Sequence, residues 1–201
     1  MMCISDYVKV GILRENTMKK LLIGIIAINL TLITLEAHSD ENSETVIGDI
    51  AMTEANHSEA FNQMKTMLGV WEGKLTQYTG SVIDTYSEFR LVSGGNTITE
   101  KLIEDGVEML TTYADKNGQL IVKHYCALGT QPVFKGSKVT DQSVEIKLDD
   151  SLSNYQPEHH NYVNSIKWTV NPENSSSAIV DSTLYLDGEL RVQQSVIKRV
   201  K

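Results

Sequence analysis

Glu100, His124 and Cys126 are the residues of this chain whose types and spacing offer the most chemistry. His124 and Cys126 are two apart, so on an extended strand both side chains project to one face. An imidazole beside a thiol is a fragment of a soft metal site, yet two ligands do not make one. Glu100 would have to be the third. The same pair would act as base and nucleophile if the thiol were activated. Glu100 with His124 would supply a general acid and a general base to a bound ligand. A plainer role stands beside each: a hydrogen-bonded core histidine next to a small buried thiol, and a carboxylate–imidazole pair that fixes register or holds a ligand's head group. No CxxC, HExxH, GxGxxG or GxxxxGK[ST] occurs. The residues therefore predict no metal, no cofactor and no assigned catalytic group. Acid–base chemistry at Glu100 and His124 is the alternative to simple binding.

What must position these side chains is a run of strands. Ten strand-like segments cover roughly 70–79, 82–92, 96–104, 107–115, 119–128, 131–139, 142–149, 162–171, 177–187 and 189–200. Gly94-Gly95-Asn96, Asp105-Gly106, Asn117-Gly118 and Asp187-Gly188 are turn residues that tolerate positive φ and so favour hairpins. Hairpin after hairpin makes an antiparallel meander. A sheet of this width curls or closes, because twist accumulates and open edges are a liability. The expected fold is all-β: an antiparallel up-and-down barrel of about ten strands. The long break at 150–161, with Pro157, His159 and His160, reads as a lid or rim. Ahead of the strands, Ala60, Phe61, Met64, Met67 and Leu68 recur at helical spacing, with Ser58 placed to cap and Gly69 to stop a short helix. Such a helix would close one end of the barrel.

Alternation assigns the faces. Ile98, Glu100, Leu102 and Glu104 should point in, opposite Thr97, Thr99 and Lys101. Met109, Thr111 and Tyr113 share a face, as do Leu120, Val122, His124 and Cys126. Ile166, Trp168 and Val170 oppose Lys167, and Val180, Ser182, Leu184 and Leu186 form the inner set of their strand. The lumen is then mostly apolar with a few polar groups, as small-molecule pockets are. Tyr86, Glu100, Tyr113, His124, Cys126 and Trp168 are the candidate ligand contacts. A buried carboxylate needs a partner. His124, Tyr86, Tyr113 and Arg90 are all candidates to supply one for Glu100.

The N-terminal region reads as an address. Met18-Lys19-Lys20, a run of about 15 apolar residues and a small residue at Ala37 make a secretory signal peptide, short against the roughly 20 residues of a membrane span. Residues 1–17 do not resemble a signal head, which suggests a natural start at Met18. The organisation expected is a leader at 1–37 with the signal at 18–37, a flexible acidic linker at 38–57 and the barrel domain at 58–201. Location would be secreted or periplasmic, with no stable membrane span once the signal is cleaved. The net charge of −8 repels phosphate backbones and argues against nucleic acid. Of the two cysteines, Cys3 and Cys126, cleavage would leave one and no internal disulfide.

The helix at 60–68, Gly69-x-Trp71 heading the first strand and a basic residue on the last strand resemble the calycin superfamily of lipocalins, fatty-acid-binding proteins and nitrobindin-like barrels. The segment from Thr112 through Pro132 also looks like a group of uncharacterised exported bacterial proteins. The resemblance implies that Trp71 packs across the barrel floor against Arg199, or alternatively Arg191. It implies a cavity for a small apolar or amphipathic molecule. A nitrobindin-like haem site would need a late histidine, and 189–200 contains none. His159 and His160 do not match that place. The expected function is non-covalent binding of a small apolar or amphipathic ligand. The alternatives are an enzyme using Glu100 and His124, and an envelope protein whose core is filled by Phe89, Leu102, Val122 and Trp168.

Overall fold

The computed structural model describes residues 46–52 and 55–201. The leader at 1–37 lies outside them. Within the expected linker, β1 (Val46–Ile47) and β2 (Ile50–Ala51) pair around Gly48 as a small hairpin. Ile47 and Ile50 are exposed, so this hairpin is held by its backbone pairing and not by a core.

The helix α1 (Glu59–Met64) starts where the sequence places it. Ser58 is extended, and its hydroxyl accepts the Phe61 amide at 3.1 Å. The same residue donates its own amide and hydroxyl to Asp115, at 2.6 and 2.7 Å, tying the cap to the sheet. His57 stacks on Phe61 with ring centroids 4.2 Å apart. The helix buries Ala60, Phe61 and Met64 and passes into a 3-10 turn at Lys65–Met67.

Gly69 does not act as the helix stop. The chain turns extended at Leu68, and Gly69 already opens the first barrel strand. Its φ of +118° and the closeness of other backbone explain the glycine, since a Cβ would meet the Lys201 carbonyl at 2.5 Å. A helix-stop glycine and a close-approach glycine look alike in sequence.

Ten strands follow: β3 (Gly69–Thr76), β4 (Val82–Val92), β5 (Thr97–Glu104), β6 (Val107–Lys116), β7 (Gln119–Tyr125), β8 (Val133–Thr140), β9 (Ser143–Leu148), β10 (Tyr162–Asn171), β11 (Asn174–Leu186) and β12 (Glu189–Arg199). Each pairs antiparallel with its sequence neighbour, and β12 pairs back on β3 to close the barrel. Asp105-Gly106, Asn117-Gly118 and Asp187-Gly188 all have positive φ at both positions, as two-residue hairpins that match strand twist require. The short helix α2 (Asp150–Ser153) and the turns after it occupy the break between β9 and β10. That segment is hydrogen-bonded rather than loose. Tyr155 accepts the Gln131 amide at 2.7 Å, and Asn161 accepts the Asp187 amide at 2.8 Å. No helix among the described residues is long and apolar enough to cross a membrane.

The interior is packed along part of its length. Trp71, Ile98, Tyr113, Leu120, Val122, Phe134, Val144 and Ile146 form one cluster with the buried face of α1. At Gly136 a Cβ would crowd Leu120 on β7 at 3.3 Å and meet Ala60 of the helix at an ordinary 3.5 Å. Arg199 lies opposite Trp71 in the β12–β3 register, with its guanidinium 4.3 Å above the indole. Its nitrogens donate to the carbonyls of Leu68 and Thr66, and Trp71 Nε1 donates to Met67 at 2.7 Å. Arg199 thus fills the place opposite Trp71, while Arg191 stacks on Tyr78 at 5.1 Å.

Candidate functional site

The site grows from one row of side chains across three strands. Glu100 faces Thr111 in the β5–β6 register, and Thr111 faces His124 in the β6–β7 register. All three are buried. Glu100 accepts hydrogen bonds from Tyr113 at 2.5 Å and from Ser87 at 2.9 Å, one on each carboxyl oxygen. Thr111 Oγ1 and His124 Nδ1 share a hydrogen bond at 2.9 Å.

This row marks a boundary. On one side of it, Ile98, Tyr113, Leu120 and Val122 belong to the packed cluster. On the other side the same strands line a cavity of about 390 Å³, through Leu102 and Glu104, Met109 and Val107, and Cys126. The far wall is Val163, Ile166 and Trp168 from β10, Val180, Ser182 and Leu184 from β11, and Ser195 and Ile197 from β12. The space is of small-molecule size, with an apolar wall facing a few polar groups. Phe89, Leu102 and Trp168 border it without occluding it, while Val122 is in the packed part.

Burial sets the electrostatics. It raises the Glu100 carboxyl above its ordinary range, against the pull of the hydrogen bonds from Tyr113 and Ser87. It raises the Tyr113 phenol well above its usual value, and the neighbouring Glu100 adds to the effect. Burial lowers His124 to about 4, so its imidazole is neutral at physiological pH. Glu104 is raised to about 7, first by burial and then by the charge of Glu100. The Cys126 thiol is also raised by burial, which keeps it protonated and a poor nucleophile.

Of the sequence candidates, Glu100, His124, Cys126 and Trp168 line the cavity. Tyr113 touches the site through Glu100 and meets Trp168 edge-on at 5.7 Å. Tyr86 does not line it. The wall positions of β4 are Thr85, Ser87 and Phe89, so Tyr86 belongs to the opposite face, and Arg90 is exposed. Cys126 lies one residue past β7, in a turn where its amide donates to Thr130 at 3.0 Å and its carbonyl accepts from Gly129. Among the described residues no three His, Cys, Asp or Glu side chains converge as metal ligands. His159 and His160 lie together in the β9–β10 segment, with His160 against Tyr155.

Two groups were missed from sequence. Ser87 escaped because the β4–β5 connection at 93–96 is not a two-residue hairpin, so its register is not readable from the turn. Glu104, placed inward by alternation, was not singled out as a ligand contact. Its strand-end position gives no sign that the cavity extends that far.

No family model matches the chain, and no curated protein does. The fold is similar to that of a protein of unknown function from the DUF3598 family of Nostoc punctiforme. That match has a TM-score of 0.50 and 14% identity, covering 68% of this chain and 49% of the other, so this chain spans about half its length. Weaker similarity links it to EF1p2_mFAP2b bound to DFHBI (TM-score 0.38, 13% identity, 70% of this chain and 99% of that one). A redesigned beta barrel also matches, with a TM-score of 0.35 and 13% identity over 73% of this chain and 100% of that one. At these identities the first comparison supports the closed antiparallel barrel and nothing finer.

Proposed function

We propose that the protein is an exported barrel that binds a small apolar or amphipathic molecule in its lumen, with α1 closing the far end. The observation that carries this is the half-packed, half-hollow interior. A sealed core at one end and a cavity of about 390 Å³ at the other leave the Glu100–Thr111–His124 row as a polar floor. Support for the plug comes from the contacts of α1, which reaches Asp115 near one hairpin and, through Gln63, the Asp141 carbonyl of another. Support for export is the basic head, apolar run and small residue at 18–37. N-terminal sequencing of exported material tests it, with a terminus near residue 38 expected and one ahead of Met18 contrary.

The geometry favours binding over turnover. Both Glu100 oxygens are engaged by neighbours, and Thr111 stands between Glu100 and His124. The test is native mass spectrometry of gently purified protein. It should show a retained small molecule that is lost in Val180→Trp, which directs an indole into the cavity. A folded wild-type protein that retains nothing and takes up no apolar probe overturns the reading.

A further inference from the structure

We propose that the lumen selects amphiphiles bearing a protonated amine, with the ammonium group held at Glu104 and the apolar body against Ile166, Trp168, Val180 and Leu184. This deepens the binding function proposed above and rests on it.

The first argument is the charge of the lining. Glu100, Glu104 and Asp105 line the cavity, and among the described residues no lysine or arginine does. Arg191 follows the inward parity of β12 that Gln193, Ser195 and Ile197 set. It pairs with Glu189, stacks on Tyr78 and does not line the space, while its Nε is buried without a hydrogen-bond partner. A fatty acid would therefore bring its carboxylate to a wall of carboxyls, with like charges in a low-dielectric cavity.

The second argument is independent. One carboxylate that lines the cavity has no protein partner among the described residues. Glu104 makes no side-chain hydrogen bond, although it lines the lumen. His124 is 3% exposed, and only its Nδ1 is bonded, to Thr111. An unpartnered carboxylate calls for N–H donors on the guest.

The charged and titratable groups around Glu104 are Glu100 and Asp105 on its own strand and turn, Cys126 and His124 beyond β6, and Tyr78 and Arg191 at the rim. The β6 side chains facing it, Val107 and Met109, are uncharged. With Glu104 titrating at about 7, an incoming ammonium must displace its proton below that pH.

The experiment measures binding of octylamine, octanol and octanoate to the whole protein by calorimetry from pH 5 to 8. Octylamine should bind more tightly by close to tenfold per pH unit up to about 6.5 and level off above about 7.5. It should release nearly one proton at pH 6 and almost none at pH 8. Octanol should bind more weakly than octylamine at pH 8 and without pH dependence, and octanoate should bind weakest. Glu104→Gln, checked as folded by its thermal melt, should lose both the amine preference and the pH slope. If octanol binds but octylamine is no tighter, or if Glu104→Gln keeps the preference, the amine inference falls and the cavity reading stands. If none of the three binds, both fall.

Discussion

At the residue scale, the Glu100 carboxyl explains most of the polar interior. Its cost of burial is offset by two donors, and removing one should be felt. Tyr113→Phe deletes the 2.5 Å bond while keeping the ring. It should lower stability by about 1–3 kcal/mol in urea denaturation at neutral pH. The loss should shrink at low pH, where a protonated Glu100 needs the donor less. Titration offers a second check. Glu104, raised to about 7, stabilises the fold below its unfolded value of 4.5, and that contribution is lost as pH rises through 7. His124, lowered to about 4, contributes stability above its unfolded value of 6.5 that is lost as pH falls through 4. The two slopes oppose each other between about pH 4.5 and 6.5, so each is best seen alone. Glu104→Gln should make the thermal midpoint rise more steeply with pH over that range, and His124→Gln should make it fall. Thermal melts of both variants from pH 4 to 8 decide the signs.

At the element scale, much of the structure was legible because hairpins obey simple reflection. A two-residue turn at Asp105-Gly106 sets 100 opposite 111, and one at Asn117-Gly118 sets 111 opposite 124. The polar row was therefore contained in the positions of two Asx-Gly pairs. Alternation placed Leu102, Met109, His124, Ile166 and Val180 correctly against the cavity, since the side-chain period of a strand is two. It could not fix Tyr86, because β4 carries polar and apolar residues on both parities and only the pairing chooses between them. The role of Gly69 was equally hidden, depending as it does on backbone more than a hundred residues away. For α1, the Ser58 cap serves helix and sheet together. Ser58→Ala should cost about 0.5–2 kcal/mol by denaturant midpoint. Asp115→Asn, which leaves the cap bond to Phe61 intact, should cost less than Ser58→Ala if the helix end matters more than its tether.

At the scale of the whole molecule, closure and hollowness depend on different residues. Closure runs through β12 and β3, where Arg199 covers Trp71 and ties back to the carbonyls that leave α1. Arg199→Met should keep much of the hydrocarbon contact but lose the stacking and both donated bonds. A drop of about 1–3 kcal/mol in global stability is expected from the lost stack and the two lost charge-assisted bonds. Because this corner lies away from the cavity lining, probe affinity measured on the folded fraction should stay within a few-fold of the original. A parallel collapse of affinity would show that the two halves of the interior are not independent.

Cys126, set in the cavity wall with a thiol kept protonated by its surroundings, gives the protein a built-in gauge of occupancy. In a Cys3→Ser background, half-buried Cys126 on the chamber lining is the one thiol left for a disulfide reagent. A guest seated there should slow that colour change in proportion to the share of chambers it fills, without any dye or tag being attached.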